Sequence, residues 1–189
     1  MRKTSLFLLA CLVLSAVLLG GCGTIYEAAM DPRDLGTQTA DAKIDAKITK
    51  AYYDDDDMSV LSIDPFVFTG DVYLVGEYAN DTQRSKAVSL AKAVEGVRGV
   101  TTYLLPEKED PACGTADNVK LVAKVKAELI GDSDIWSTNV EVKAVQCNIV
   151  LLGLVGSQAE IDKSIAHARG VEGVRSVKSY LRVARVRAE

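Results

Sequence analysis

Apolar residues spaced four positions apart occur in two separate segments of the chain. They are Ile44, Ile48 and Tyr52 in the first segment and Leu121, Val125 and Leu129 in the second. This spacing places each trio on one side of a helix, where it forms a buried stripe. The pattern therefore predicts two amphipathic helices, each at the start of a structural unit.

A hairpin, a second helix and a final strand are predicted after each amphipathic helix. The hairpin strands cover 61–68 and 72–78 in the first unit and 140–145 and 149–155 in the second, around the turns Thr69-Gly70-Asp71 and Gln146-Cys147-Asn148. The second helices cover 81–94 and 158–171, and Gly96 and Gly173 follow them at the place of a left-handed C-terminal cap. The last strands cover 98–105 and 175–183. This order predicts an α+β fold class, with two tandem α-β-β-α-β domains that each pack two helices on one face of a three-stranded sheet.

The two units are copies of each other. A shift of 77 positions aligns 43–48 with 120–125 and 74–76 with 151–153 without a gap. The same shift aligns Val-Glu-Gly-Val-Arg-Gly-Val at 94–100 with Val-Glu-Gly-Val-Arg-Ser-Val at 171–177. A register held over about sixty residues indicates an internal duplication.

The N-terminus has the three parts of an export signal. Arg2 and Lys3 precede an uncharged apolar run over 6–19, which is too short to span a bilayer. The following Leu-Gly-Gly-Cys at 19–22 resembles a lipobox, which implies cleavage after residue 21 and a lipid-modified Cys22. The alternative is an ordinary cleaved signal in which Cys22 is incidental.

The predicted domains are a signal peptide at 1–21, a tether at 22–38, a first domain at 39–106, a linker at 107–114 and a second domain with its C-terminal tail at 115–189. Of the four cysteines, only Cys113 and Cys147 remain after cleavage and lipidation. Export to an oxidising compartment favours a disulfide between them, worth about 3–4 kcal/mol on the chain-entropy model. Two unpaired thiols are the alternative.

The charges differ between the copies. Residues 39–106 hold 7 basic and 11 acidic side chains, net −4, including the run Asp54 to Asp57, which would repel anionic headgroups. Residues 115–189 hold 11 basic and 9 acidic side chains, net +2. Each basic residue near an anionic membrane contributes about 1 kcal/mol to binding. The second copy is therefore the candidate for membrane contact.

The first helix of the second copy has further apolar and basic residues beside its buried stripe. The candidate lipid-binding residues are Val119, Lys120, Val122, Lys124, Lys126 and, after the helix, Trp136. Apolar residues next to lysines are typical of an interfacial helix, and a tryptophan often lies at headgroup depth. In the alternative interpretation, the two valines pack on the first copy and Trp136 covers the local core.

No pattern predicts catalysis. His167 is the only histidine, which excludes a histidine-rich metal site, and its position within a predicted helix favours a surface or half-buried residue over a catalytic base. The run Asp54 to Asp57 lacks the ligand spacing and turn glycine of a calcium loop. We expect no catalytic residues, no metal, no cofactor, no small-molecule substrate and no nucleic-acid partner.

The chain resembles the BON domain (bacterial OsmY and nodulation) in three features. These are the repeated Gly-Val-Arg-x-Val segments, the glycines Gly76 and Gly153 that end the second strands, and the α-β-β-α-β order. Two such domains behind a lipobox are similar to the dual-BON outer-membrane lipoproteins of the division and outer-membrane-stress-associated lipid-binding family. The chain departs from the BON pattern at Tyr103 and Tyr180, where asparagine is common.

The resemblance implies a non-enzymatic, lipid-anchored protein on the periplasmic side of the outer membrane. It also implies that the first helix of the second domain binds anionic phospholipid and that the protein supports envelope integrity. The alternative function is a scaffold that binds envelope proteins and is held at the membrane only by its lipid anchor.

Overall fold

The structure is a computed structural model that describes residues 31–58, 62–108, 110 and 112–184. The signal peptide, Cys22 and most of the predicted tether lie outside the described residues. Both repeats belong to one compact unit that begins at Pro32.

The two repeats form the same elements in the same order. In the first, helix α1 (Leu35–Tyr53) precedes strands β1 (Ile63–Phe68) and β2 (Asp71–Tyr78), helix α2 (Asp81–Ala93) and strand β3 (Gly99–Pro106). In the second, helix α3 (Thr115–Gly131) precedes strands β4 (Val140–Val145) and β5 (Asn148–Val155), helix α4 (Gln158–Gly170) and strand β6 (Ser176–Val183). Short 3-10 helices at Asp56–Met58 and Ser137–Asn139 lie before β1 and β4.

Each repeat builds one three-stranded sheet with its second strand in the centre. The orders are β1-β2-β3 and β4-β5-β6. The first two strands are antiparallel hairpins, whereas the third runs parallel to the second after the crossover helix. The predicted α+β class and the tandem α-β-β-α-β order are confirmed.

The first helix starts earlier than the sequence pattern indicated. The side chain of Asp34 accepts a hydrogen bond from the backbone N–H of Thr37, which caps the helix so that it begins at Leu35. The segment 35–38, assigned to the tether from sequence, is therefore helical. The same capping chemistry starts α2 at Asn80 and α4 at Ser157.

The two hairpin turns contain two residues each rather than the three expected. Thr69 and Gly70 both have positive φ, at 54° and 80°, as do Gln146 and Cys147, at 51° and 59°. Positive φ at both central residues is the type I′ arrangement, whose twist matches that of the flanking strands. Asp71 and Asn148 consequently belong to the strands.

The glycines after α2 and α4 also differ in role from the expected helix cap. Gly96 has a φ of 95° and is the third residue of a β-turn in which Val97 N–H bonds to the carbonyl of Val94 at 3.2 Å. Gly173 has the same place in the second repeat, with a φ of 96°. A residue with positive φ is required at this position of a type II turn, which is why glycine is found there.

Gly76 and Gly153 lie inside the second strands rather than at their ends. A Cβ atom on Gly76 would come within 1.8 Å of the Ser62 carbonyl oxygen, and one on Gly153 within 2.0 Å of the Asn139 carbonyl oxygen. Only glycine allows the backbone that enters the first strand to approach so closely.

The two sheets pack against each other through the faces that carry no helices. One face of each sheet contacts its own two helices and forms a domain core. The other faces meet in a third cluster, here called the inter-sheet cluster, made of Tyr73, Val75, Val145, Val150 and Leu152 with Phe66, Phe68, Tyr103, Leu105 and Tyr180. The layers therefore follow the order helices, sheet, sheet, helices, with α1 and α3 on opposite outer sides.

Candidate functional site

Helix α3 is held on its sheet by the predicted apolar stripe. Leu121, Val125 and Leu129 are buried in the core of the second domain. Because these residues fix the rotation of the helix about its axis, the residues on the opposite side of the helix face solvent.

The outward side of α3 carries a continuous apolar strip. Steps of three or four residues, which are neighbours on a helix surface, connect its members. We define the α3 strip as Ala116, Val119, Ala123, Ala127 and Ile130, all of them exposed. Val119 is 65% exposed and Ile130 is 71% exposed, although burial would stabilise either side chain by about 1.5–3 kcal/mol.

Lysines lie on both sides of the α3 strip. Lys120 and Lys124 are on one side and Lys126 is on the other. The Lys120 ammonium lies 3.7 Å from Asp117, and that of Lys126 lies 3.4 Å from Glu141. In the part of the chain that the structure describes, no carboxylate lies within 4.0 Å of the Lys124 ammonium.

Val122 differs from the other candidates on this helix. It is partly buried and packs against the core of the second domain, about 60° around the helix from Val119. Sequence spacing alone placed Val122 beside Val119 because both fall next to the buried stripe. Ile130 was not among the predicted site residues, although it follows Val119 by 11 residues, which is close to three helical turns.

Trp136 has its backbone fixed and its side chain partly in solvent. The backbone N–H of Trp136 donates to Glu160 Oε1 at 2.8 Å, and Glu160 Oε2 accepts from the backbone N–H of Gly156, also at 2.8 Å. The glutamate is itself buried, so this side chain orders the segment after α3. The Trp136 side chain remains 53% exposed and is not part of the domain core.

The first domain does not cover α3, because the domains meet through their sheets. Arg182 Nη1 bonds to Asp71 Oδ2 at 2.7 Å, Gln146 Nε2 donates to Glu77 Oε1 at 2.6 Å, and Lys143 pairs with Asp64. These contacts border the inter-sheet cluster and lie behind the sheet that carries α3.

Some of the residues that make the first copy acidic and the second copy basic form ion pairs with each other across the domain interface. Asp64 and Asp71 of the acidic copy pair with Lys143 and Arg182 of the basic copy. These four residues therefore neutralise one another within the molecule and are not part of a membrane-facing charge.

The acidic run of the first domain also has internal partners. Lys86 on α2 bonds to Asp55 at 2.9 Å and to Asp57 at 2.6 Å, and Lys50 bonds to Asp54 at 2.5 Å. The repeat-equivalent Lys163 bonds to Asp134 at 2.5 Å and to Asp132 at 3.4 Å. The run is thus a structural link between helices that both domains share.

The two tyrosines that depart from the BON pattern lie at the domain interface. Tyr103 and Tyr180 both pack against the inter-sheet cluster, and the ring centroid of Tyr180 is 5.3 Å from that of Tyr73. The Tyr180 hydroxyl donates to the Thr102 carbonyl at 3.3 Å. Burial raises the pKa of Tyr103 and of Tyr180, so both phenols are held in their neutral form.

Cys113 and Cys147 form a disulfide with their Cα atoms 5.9 Å apart. Cys113 lies two residues before the start of α3, and Cys147 is the second residue of the β4-β5 turn. The disulfide therefore fixes the start of the candidate helix to its own sheet.

His167 lies on α4 within reach of two carboxylates at the end of α3. Its Nε2 is 3.0 Å from Asp132 Oδ2, and its Nδ1 is 3.7 Å from Glu128. The backbone N–H of Asp134, then His167 and Lys163, lower the pKa of Asp132 to about 2. Among the described residues, no three His, Cys, Asp or Glu side chains are arranged to hold a metal ion.

Across the described ranges, which begin at residue 31, none of the helices has the length and hydropathy needed to span a membrane.

The BON domain family matches residues 40–105 and 117–185 of this chain. Osmotically-inducible protein Y of Escherichia coli (strain K12) is 32% identical over 193 residues, with 95% of this chain and 96% of that protein covered. Outer membrane lipoprotein DolP of Haemophilus influenzae is 28% identical over 174 residues, with 92% of this chain and 88% of that protein covered. Among solved structures, CdsD of the Chlamydia trachomatis type III secretion system matches 74% of this chain and 91% of its own chain at 11% identity, with a TM-score of 0.33.

Proposed function

Because this chain belongs to the BON-domain family, we propose that it is a non-enzymatic protein of the bacterial envelope whose second domain contacts anionic phospholipid through α3. The observation that carries this proposal is the α3 strip, which combines exposed Val119 and Ile130 with lysines on both sides. Apolar side chains enter the boundary between headgroups and acyl chains, while lysines interact with the phosphates.

The names of the relatives support a place in the envelope. A relative that spans nearly the whole chain is called an outer membrane lipoprotein, and the Leu-Gly-Gly-Cys motif at 19–22 is what such an anchor requires. We propose that lipid on Cys22 holds the protein at the outer membrane, facing the periplasm. The anchor would supply most of the membrane affinity by keeping α3 at a high effective concentration near the surface.

The expected strength of the α3 contact is moderate. Each lysine contributes about 1 kcal/mol near an anionic surface, and each large apolar side chain contributes at most about 1.5–3 kcal/mol on full burial. Such a contact is reversible by itself and weakens as salt screens the lysines. It therefore orients an anchored protein more than it attaches a free one.

The test uses the chain from residue 23 onward, which keeps the compact unit and lacks the anchor. Binding to vesicles with and without phosphatidylglycerol is followed by flotation and by the fluorescence of Trp136, the only tryptophan. We expect a blue shift with anionic vesicles only, and we expect Val119→Asp to lose this shift. Val119→Lys is the matched control, because it changes the same exposed site and adds a favourable charge.

Val119 is preferred to Val122 for this test because Val122 contacts the core, so a charge there would also affect folding. An equal blue shift for Val119→Asp and the unmodified chain would contradict contact through α3. No binding at low salt would contradict phospholipid recognition and leave the scaffold function, with Cys22 as the membrane attachment.

A further inference from the structure

The outer side of α1 carries an interrupted apolar strip, in which Thr39 and Lys50 stand at the positions of Ala116 and Ala127 of the α3 strip. We call it the α1 strip. Its successive members are seven, four and seven positions apart, so they fall at nearly the same angle around the helix. Its members are Leu35, Ala42, Ala46 and Tyr53, all exposed. Leu35 is 72% exposed and Tyr53 is 78% exposed, which equals or exceeds the exposure of the large residues on α3.

The lysines beside the two strips are repeat-equivalent as well. Lys43 and Lys47 on α1 align with Lys120 and Lys124 on α3 under the shift of 77 residues. Over its full length, α1 carries three lysines and two aspartates, and α3 carries three lysines and two acidic residues. The outer helix of the acidic domain therefore has the same net charge, +1, as that of the basic domain.

Much of the acidic surplus of the first domain lies away from the α1 strip, although Asp45 lies beside Ala42 and Ala46 and Asp54 lies beside Tyr53. Asp64 and Asp71 lie at the domain interface, paired with Lys143 and Arg182. Asp55 and Asp57 bond to Lys86 at the C-terminal end of α1. The net charge of the domain is thus a poor guide to the field at the strip, because charges beyond a Debye length of about 8 Å are largely screened.

The two strips face in opposite directions. Each outer helix lies on its own sheet, and the two sheets are joined through their other faces by the inter-sheet cluster. A single flat bilayer can therefore contact α1 or α3, but not both at once.

We propose that α1 is a second lipid-contacting surface, so that one molecule can bridge two anionic bilayers, with α3 on one and α1 on the other. Lys43 beside the α1 strip is the charge complement of such a surface, while Lys47 lies 4.0 Å from Glu95 and Lys50 lies 2.5 Å from Asp54. This inference extends the proposed function from one membrane-facing helix to two.

The test measures clustering of phosphatidylglycerol vesicles by light scattering, alongside flotation, with the chain from residue 23 onward. We expect the unmodified chain to cluster vesicles and the clustering to decline at excess protein, when every vesicle is saturated. That decline distinguishes a two-faced monomer from bridging through protein dimers, which excess protein does not suppress.

Ala46→Asp and Ala123→Asp are matched variants at repeat-equivalent, exposed positions of α1 and α3. We expect Ala46→Asp to abolish clustering while vesicle binding through α3 persists, and Ala46→Lys to retain both. Circular dichroism verifies folding, since both positions are exposed and lie off the buried stripe of their helix.

Vesicle binding by the unmodified chain without clustering would overturn the bridging proposal and leave the α3 contact intact. If Ala46→Asp loses all binding while Ala123→Asp binds normally, the proposed role of α3 fails, and bridging fails with it. No binding by any form contradicts both proposals.

Discussion

The two domains stabilise the same β-turn by different chemistry. In the first domain, the buried carboxylate of Asp41 accepts from the N–H groups of Thr69 and Gly70, at 2.7 and 2.8 Å, and pairs with Arg33 at 2.6 Å. In the second domain, the equivalent Asn118 accepts only from the N–H of Cys147, at 2.9 Å. There the disulfide to Cys113 supplies the additional link between helix and turn.

This difference shows that the duplication preserved the geometry and not the particular interaction. A type I′ turn leaves backbone N–H groups directed toward the first helix, and these groups need an acceptor when they are buried. In the first domain, the two carboxylate oxygens of Asp41 satisfy that need. In the second domain, the side-chain amide of Asn118 does so, and the disulfide reinforces the contact.

The largest expected effect follows from removing the carboxylate. Asp41→Ala leaves two backbone donors and the Arg33 guanidinium without their acceptor, so we expect a loss of about 3–5 kcal/mol in the free energy of unfolding. Urea denaturation followed by circular dichroism measures it. Asn118→Ala is the control at the equivalent position and should cost about 1–2 kcal/mol. Equal losses would contradict the assignment of different roles.

Removing the disulfide should have the next largest effect. The double variant Cys113→Ser with Cys147→Ser opens a loop of 34 residues in the unfolded chain, so we expect a loss of about 3–4 kcal/mol. Trp136 lies in the second domain, and its fluorescence reports unfolding there. A dithiothreitol-treated sample of the unmodified chain should match the variant. An unchanged urea midpoint would mean that the bond contributes nothing to stability.

The smallest expected effect concerns an aspartate–lysine ion pair that occurs in both domains, as Asp55–Lys86 in the first and Asp132–Lys163 in the second. The pKa of each aspartate is lowered, that of Asp55 chiefly by Lys86 and that of Asp132 chiefly by the N–H of Asp134, with His167 as the next cause. Leu90 occupies the position of His167 in the first domain. We expect His167→Leu to raise the Asp132 pKa from about 2 towards the ordinary value, as seen in a carboxyl NMR titration.

The stability that the Asp132–Lys163 link contributes depends on pH, and the lowered pKa of Asp132 gives the direction of that dependence. Because the Asp132 pKa is lower in the folded chain than in the unfolded chain, its stabilisation is complete above about pH 4. It is lost as the pH falls from about 4 to about 2. The His167→Leu variant should lose less stability over that window than the unmodified chain, and an identical loss would contradict a role for His167.

Local sequence patterns predicted the secondary structure closely, because helix and strand periods depend on which side chains face a core. The buried stripe at Leu121, Val125 and Leu129 is present as expected, and so are both hairpins. The same reasoning assigned Val122 to the exposed surface. It failed there because a residue next to the stripe is half-buried or exposed according to how the neighbouring helix packs.

Two features of the sequence indicate tertiary contacts but were not assigned to them. The continuous apolar runs 72–75 and 149–152 indicate strands buried on both faces, which the second sheet explains. Alignment of Asp55 and Asp57 with Asp132 and Asp134 would have shown that the acidic run is a repeated structural link. Its two additional aspartates made the run resemble a general acidic patch.

The sequence by itself determined the duplication, the order of elements and the positions where only glycine or a capping side chain fits, because these depend on local geometry. Only the tertiary structure decided which faces remain in solvent. The two sheets pack against each other through side chains such as Tyr73 and Tyr180, which are 107 positions apart in the chain. That packing leaves α1 and α3 on opposite outer sides, because the sheet faces without helices bury their apolar side chains against each other.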